Sequence, residues 1–214
     1  MKDYFDYRRI LGEGNPLLRY PHLLEAAIDE FSMKKFEDAS LNDILKAAQM
    51  SKGSLYHHFG DKFGLYLCMV DIIVQKKISF FSKYLQQKQH MGDFFGTLRQ
   101  LFRATMDFMF VDERMHHLYN RVMELDNGQR TRIMQFFPYD FSQGFGPLIS
   151  AARQAGQLDG RYGVDFMAKI LEIFLMNVDK FLSPGESPEE VIVLVDQIID
   201  FMQNGIGAKE EANI

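Results

Sequence analysis

Lys52, Tyr56, His57 and Lys62, set among Ser51, Gly53 and Ser54, place cations and hydrogen-bond donors along about ten residues whose apolar members are Leu55 and Phe59. Chemistry of this kind suits a polyanion. Tyr56, His57 and Lys62 can each donate to phosphate oxygens, Lys52 can bond guanine acceptors, and Ser54 is permissive toward either. Gly53 leaves room for close approach of a ligand to the backbone. Leu55 and Phe59 lie four residues apart and give a helix one buried stripe, so the flank bearing Lys52, Gly53, Tyr56 and His57 must face elsewhere.

The element carrying these groups is a short helix begun by Ser51 as N-cap. A preceding helix starts at Ser40, which with Asp43 three residues on has the form of a cap followed by an acidic first turn. Leu41, Ile44, Leu45 and Ala48 mark its apolar face. Two short helices joined by a turn of about three or four residues have the dimensions to set the second in a DNA major groove. Lys62 falls in the first turn of the next helix, where free amides also attract anions. Before this pair, a helix is expected from about Leu17 or Pro21 to Met33, with Leu24, Ala27, Ile28 and Phe31 inward. Arg8, Arg9 and Arg19 precede it, either in a solvated tail or in an arm reaching the adjacent groove or backbone.

Phe31-Ser-Met-Lys-Lys-Phe36, Asp43-Ile44, the string Ser51-Lys-Gly-Ser-Leu-Tyr-His-His-Phe59 and Asp61-Lys62 resemble the DNA-binding domain of the TetR family of bacterial transcriptional regulators. The likeness covers roughly residues 20 to 70. It implies a three-helix head that binds operator DNA and a larger all-helical part that binds a small molecule and dimerises. On that basis Ser40, Ser51, Lys52, Gly53, Ser54, Tyr56, His57 and Lys62 are the expected DNA-contacting set. Lys35 and Gln49 stand where the family often has glycine; a left-handed backbone at either would cost about 1 kcal/mol relative to glycine.

With 214 residues and 47% hydrophobic content, the chain can build a sizeable core. The net charge of −5 runs against the basic balance common among DNA binders. Residues 1–64 hold nine Lys plus Arg against ten Asp plus Glu, so only the local cluster Lys46, Lys52 and Lys62, facing Asp61, is basic. A small patch implies moderate, strongly salt-dependent affinity, which dimerisation would double in extent. The lone Cys68 excludes an internal disulfide framework and fits a reducing compartment. No apolar run approaches the roughly 18 residues of a membrane span and the N-terminus lacks a signal-peptide core, so a cytoplasmic protein without a membrane partner is expected. Disorder is expected over residues 1–15 and from Gly205 to Ile214.

Nowhere do β-branched residues alternate over a strand length, and the class is all-α: a helix-turn-helix domain over residues 1–64 (ordered core about 17–64), an effector-binding and dimerisation domain over 65–206, and a flexible tail over 207–214. Helices are expected at about 61–87, 93–110, 113–125, 128–155, 164–182 and 188–204, with a broken helix or irregular loop across Gln135 to Pro147. The stripes Met167, Ile170, Phe174 and Val191, Leu194, Val195, Ile198, Met202 belong either to a homodimer interface, as the resemblance implies, or to an ordinary core. The middle of the chain is rich in Phe and Met. Phe95, Phe102, Met106, Met109, Tyr119, Met123, Phe137, Phe141, Phe174 and Asn177 are read at regional level as the walls of an effector pocket for an apolar or aromatic small molecule.

The chain has no phosphate-cradling glycine loop, no Gly-x-Ser-x-Gly elbow and no His-Glu-x-x-His, so no catalytic residues, cofactor or metal are assigned. Glu113 and His117 alone have a ligand-like spacing. The competing reading is a helical small-molecule binding or sensing protein that has lost DNA binding, suggested by the acidic balance and the large apolar middle.

Overall fold

The computed structural model describes residues 5–87, 93–110, 112–137, 141–176 and 187–206, and among these every regular element is helical. Three single 3-10 turns at Tyr7–Ile10, Gly12–Gly14 and Pro16–Arg19 lead into α1 (Pro21–Met33), α2 (Leu41–Ala47), α3 (Lys52–Phe59) and α4 (Lys62–Gln87). There follow α5 (Phe94–Phe110), α6 (Glu113–Met123), α7 (Asn127–Met134), α8 (Phe141–Gln154), α9 (Val164–Met176) and α10 (Pro188–Ile206). The all-α class stands. The broken helix or irregular loop expected across residues 135–147 is shorter than that, because α8 is helical from Phe141 and carries Pro147 in its interior at the loss of one i→i−4 hydrogen bond.

Local chemistry sets the boundaries. Pro21 opens α1 at a position where its missing N–H costs nothing. Ser40 Oγ accepts the Asp43 amide at 3.2 Å and Ser51 Oγ accepts the Ser54 amide at 3.2 Å, each satisfying one orphan donor of α2 and α3. Between them, Gln49 has φ 52, while Lys35 is outside the left-handed region. Gly60 ends α3 at φ 75, and a Cβ there would also meet the Phe5 ring at 2.6 Å.

The chain divides into two compact units, the first comprising Met1–Lys83 with Phe108–Pro138 and the second Tyr84–Asp107 with Tyr139–Ile214. Packing therefore does not follow a boundary at residue 64: most of α4, together with α6 and α7, shares the head's core. That core joins Ala27 and Phe31 of α1, Ile44 of α2, Leu55 and Phe59 of α3 and Leu65 and Met69 of α4 to Leu118, Leu125 and Ile133. Arg114 of α6 clamps α1 to α6, lying 2.7 Å from Asp29, 2.9 Å from Glu25 and 2.7 Å from Asp112. Those hydrogen bonds, Asp112 foremost, raise its pKa further, and Arg114 in turn lowers that of Asp112.

The second unit packs Phe94, Phe95 and Leu98 of α5, Ile149 of α8, Met167 and Leu171 of α9 and Val195, Ile199 and Met202 of α10 around one core. Arg103 pairs with Asp196 at 3.1 Å and Arg99 bonds Asp200, tying α5 to α10. Residues 5–20 depart from the expectation of a disordered start. Ile10, Asn15 and Leu17 are buried, because the segment has polar and apolar partners on α4. Tail residues 207–214 lie outside the described residues.

Candidate nucleic-acid interface

Leu55 and Phe59 are fully buried in the head, and each contributes about 2 to 3 kcal/mol of burial to holding α3 in place. Their stripe fixes what the opposite flank shows: Ser51, Lys52, Gly53 and His57 are exposed, Tyr56 is 46% exposed and Ser54 is intermediate. No heavy atom beyond its neighbours lies within 4 Å of a Cβ built at Gly53, so that end of α3 stands clear. Ser40, half-buried, is the structural cap of α2, and its own amide donates to Glu30 Oε1 at 2.6 Å, tying the start of α2 to α1. The expected set thus gathers on the face of α3 and at the N-terminus of α2.

Lys62 is the exception. Its ammonium donates to the carbonyls of Glu37 at 2.9 Å and Ala39 at 3.0 Å and lies 4.9 Å from the Phe36 ring centroid. Those contacts hold the loop between α1 and α2 against the start of α4, so the ammonium expected to donate to phosphate is here engaged in tying this loop. A carbonyl pair competes for the cation because the α1 to α2 loop leaves those oxygens without helical partners.

His58 is the other engaged member of the basic string. Its Nε2 lies 3.1 Å from Tyr20 Oη, and burial, followed by His57 and Arg19, lowers its pKa. Tyr20 and Tyr7 were not singled out by sequence, and Asp61 entered only through the resemblance and as the acid among the lysines; the Tyr7 and Asp61 side chains meet at 2.8 Å beside the end of α3. Asp61 carries a legible signal, as an acidic residue three before an amide it caps: Gly64 N donates to its Oδ1 at 2.9 Å. The Tyr7 contact spans 54 positions and leaves no local trace in the sequence.

Other expectations fare differently. Phe95, Phe102 and Phe174 of the expected effector region join the second unit's core cluster, whereas Phe137 packs on the head's cluster. The side chains of Met106, Met109, Tyr119, Met123 and Phe141, and all of Asn177, lie outside the described residues. A shallow surface cleft in the second unit is lined by Arg99, Phe102, Arg103, Ile192, Val195 and Asp196, and its arginines are already ion-paired. Of the expected dimer residues, Met167, Val195, Ile198 and Met202 are buried within their own chain, because their stripes face α5 and α8. Ile170, Phe174, Val191 and Leu194 are intermediate, and the exposed apolar groups are instead Phe166, Ile173, Val193 and Phe201, from 50% to 69% exposed. No group of three or more potential metal ligands occurs among the described residues, and none of their helices is long and apolar enough to cross a membrane.

A capped helix pair with a donor-bearing second helix, set on a helical scaffold, defines a helix-turn-helix protein with a helical C-terminal part. Residues 23–68 match the profile of bacterial regulatory proteins of the tetR family. The helix-turn-helix region is thus similar to that of the tetR-family regulators. It is 29% identical over 152 residues to the transcriptional regulator AcuR of Cereibacter sphaeroides, covering 69% of this chain and 64% of AcuR. Against the biofilm operon negative transcriptional regulator IcaR of Staphylococcus aureus the identity is 26% over 98 residues, 45% of this chain and 50% of IcaR. The chain thus spans less than two thirds of either relative. Among solved structures, a TetR-family regulator from Chloroflexus aurantiacus shares the fold at a TM-score of 0.59 and 21% identity, covering 91% of this chain and 95% of that one. The ketosteroid transcriptional regulator KstR2 of Mycobacterium tuberculosis does so at 0.58 and 18%, covering 94% and 100%.

Proposed function

We infer that the chain is a homodimeric DNA-binding transcriptional regulator, a repressor released from operator DNA by a small apolar or aromatic effector bound in the region C-terminal to its helix-turn-helix. The observation that carries this reading is the outward face of α3, with Lys52, Gly53, Tyr56 and His57 exposed above the buried anchors Leu55 and Phe59. Tyr56 and His57 would contact phosphates, and Lys52, in the first turn, would read a guanine edge. The match of residues 23–68 to the tetR-family profile and a relative named as a negative regulator support the direction of control. The exposed Phe166, Ile173, Val193 and Phe201 of α9 and α10 support self-association through those helices, which a two-fold operator would require.

The test is selection of duplexes from a random library by the full-length protein, followed by titration at several salt concentrations. A recovered inverted repeat, with affinity falling steeply as salt rises and weakened by Tyr56→Phe, supports the regulator. Recovery of no preferred sequence favours the alternative of a sensing protein without an operator. Release of the selected duplex by apolar compounds, with reciprocal loss of compound affinity on DNA binding, tests the effector arm.

A further inference from the structure

We propose that residues 5–20 form a staple that fixes the attitude of α3 on α4, with Tyr7 and Asp61 as its positioning pair. The proposal rests on the reading of α3 as the recognition helix. Only eight residues long, α3 is anchored from below by one stripe, Leu55 and Phe59. Two anchors in line resist lifting better than they resist roll about the line joining them. The contacts that oppose roll come from the N-terminal segment, at both of its ends.

At one end, the Phe5 ring sits where Gly60 has no side chain, closing on the C-cap of α3. Tyr7 Oη donates to Asp61 Oδ2 at 2.8 Å while Asp61 Oδ1 accepts the Gly64 amide at 2.9 Å, so both carboxylate oxygens at the turn from α3 to α4 are engaged. The Tyr7 ring packs edge-on against Phe63 and Phe136 at centroid distances of 5.3 and 6.0 Å. At the other end, Tyr20 meets His58 on α3. The stretch between is locked to α4. The Gly12 amide and Asn15 Nδ2 both reach Asp71 Oδ2 at 2.8 Å, Asn15 Nδ2 also reaches the Cys68 carbonyl at 2.8 Å, and Cys68 Sγ donates to the Ile10 carbonyl at 3.1 Å. Asn15 and Asp71 are 2% and 3% exposed, where an unmade hydrogen bond is costly, so this middle anchor holds the two ends in place. Groups that must meet base edges and phosphates need to be held to within about half an ångström, which a supporting layer of this kind supplies.

The experiment is a double-mutant cycle in the full-length protein with Tyr7→Phe, Asp61→Asn and both, read by amide hydrogen exchange and by affinity for the duplex selected above. Tyr7→Phe keeps the ring against Phe63 and Phe136 and removes only the hydroxyl. The expected result is exchange at the α3 amides faster by several-fold, exchange in α1 unchanged, and a dissociation constant raised by about 3- to 10-fold with the same salt slope, since no phosphate contact is lost. In the Asp61→Asn background the same change should then have little further effect. Unchanged α3 exchange overturns the proposal, as does equal acceleration in α1 and α3, or faster α3 exchange with unaltered affinity. Should the wild-type protein select no duplex, the DNA reading fails on its own, and the exchange arm still decides whether the staple exists.

Discussion

Lys62→Met keeps the length and apolar stem of the side chain and removes its ammonium, which separates the two roles open to this residue. In the structure that ammonium serves two carbonyls and one ring. The Glu37 carbonyl is in an exposed contact that water can replace, so its loss should cost about 0.5 kcal/mol. The Ala39 bond is partly buried and charge-assisted, worth about 1 to 1.5 kcal/mol, and the contact with Phe36 adds about 0.5 kcal/mol. The sum is about 2 to 2.5 kcal/mol, concentrated in the loop between α1 and α2. Native-state hydrogen exchange reads it without assuming that the two units unfold together: protection of the α2 and α3 amides should fall by a factor of about 30 to 70. Lys62→Arg should recover part of the loss. If Lys62→Met leaves α2 and α3 protection within about twofold of wild type while duplex affinity drops by tenfold or more, the ammonium is a phosphate donor in solution and the tie inferred from geometry is wrong.

Gln49→Gly should stabilise the head by about 0.5 to 1 kcal/mol, seen as a higher denaturation midpoint, because Gln49 holds φ 52 and glycine does so without strain. Since the pKa of His58 is lowered in the fold, its contribution is present above the ordinary value of 6.5 and is lost as pH falls through the lower folded value; a His58→Gln variant should show a flatter decline of stability below pH 6.5. Phe201→Glu should shift the proposed dimer toward monomer in sedimentation experiments, by roughly 2 kcal/mol or more per copy, with helical content unchanged; a variant as dimeric as wild type would move the interface elsewhere. Arg114→Met should loosen α6 from α1, with protection lost in both helices and duplex affinity reduced; intact protection would show that the three carboxylates around Arg114 are not held by it.

What could be read from the sequence is what local patterns encode. The caps Ser40 and Ser51, the pair Leu55 and Phe59 and the outward donors of α3 all follow from spacings of three and four residues, and the structure places them so. The left-handed backbone at Gln49 was signalled only by the family resemblance, which often has glycine there and gave the same signal at Lys35, where the backbone is not left-handed. The N-terminal segment was not, since Tyr7 to Asp61 and Asn15 to Asp71 are contacts across 54 and 56 positions, carried by single polar groups with no periodicity. The stripes of α9 and α10 illustrate a different limit. Amphipathic spacing shows that Met167, Val195, Ile198 and Met202 must be covered, but it does not say whether the cover is this chain or a second copy. Here α5 and α8 supply it, and the residues left uncovered are those off the stripe.

The interleaving of Phe108–Pro138 with the first 83 residues reaches back to biosynthesis. Leu118, Leu125 and Ile133 complete the cluster that surrounds Phe31, Leu55 and Phe59, so a nascent chain carrying only the amino-terminal helices still lacks part of its apolar cover. The head therefore finishes folding only after residue 138 has cleared the ribosome. Until then Phe31 and its neighbours must be shielded by transient contacts or by a chaperone.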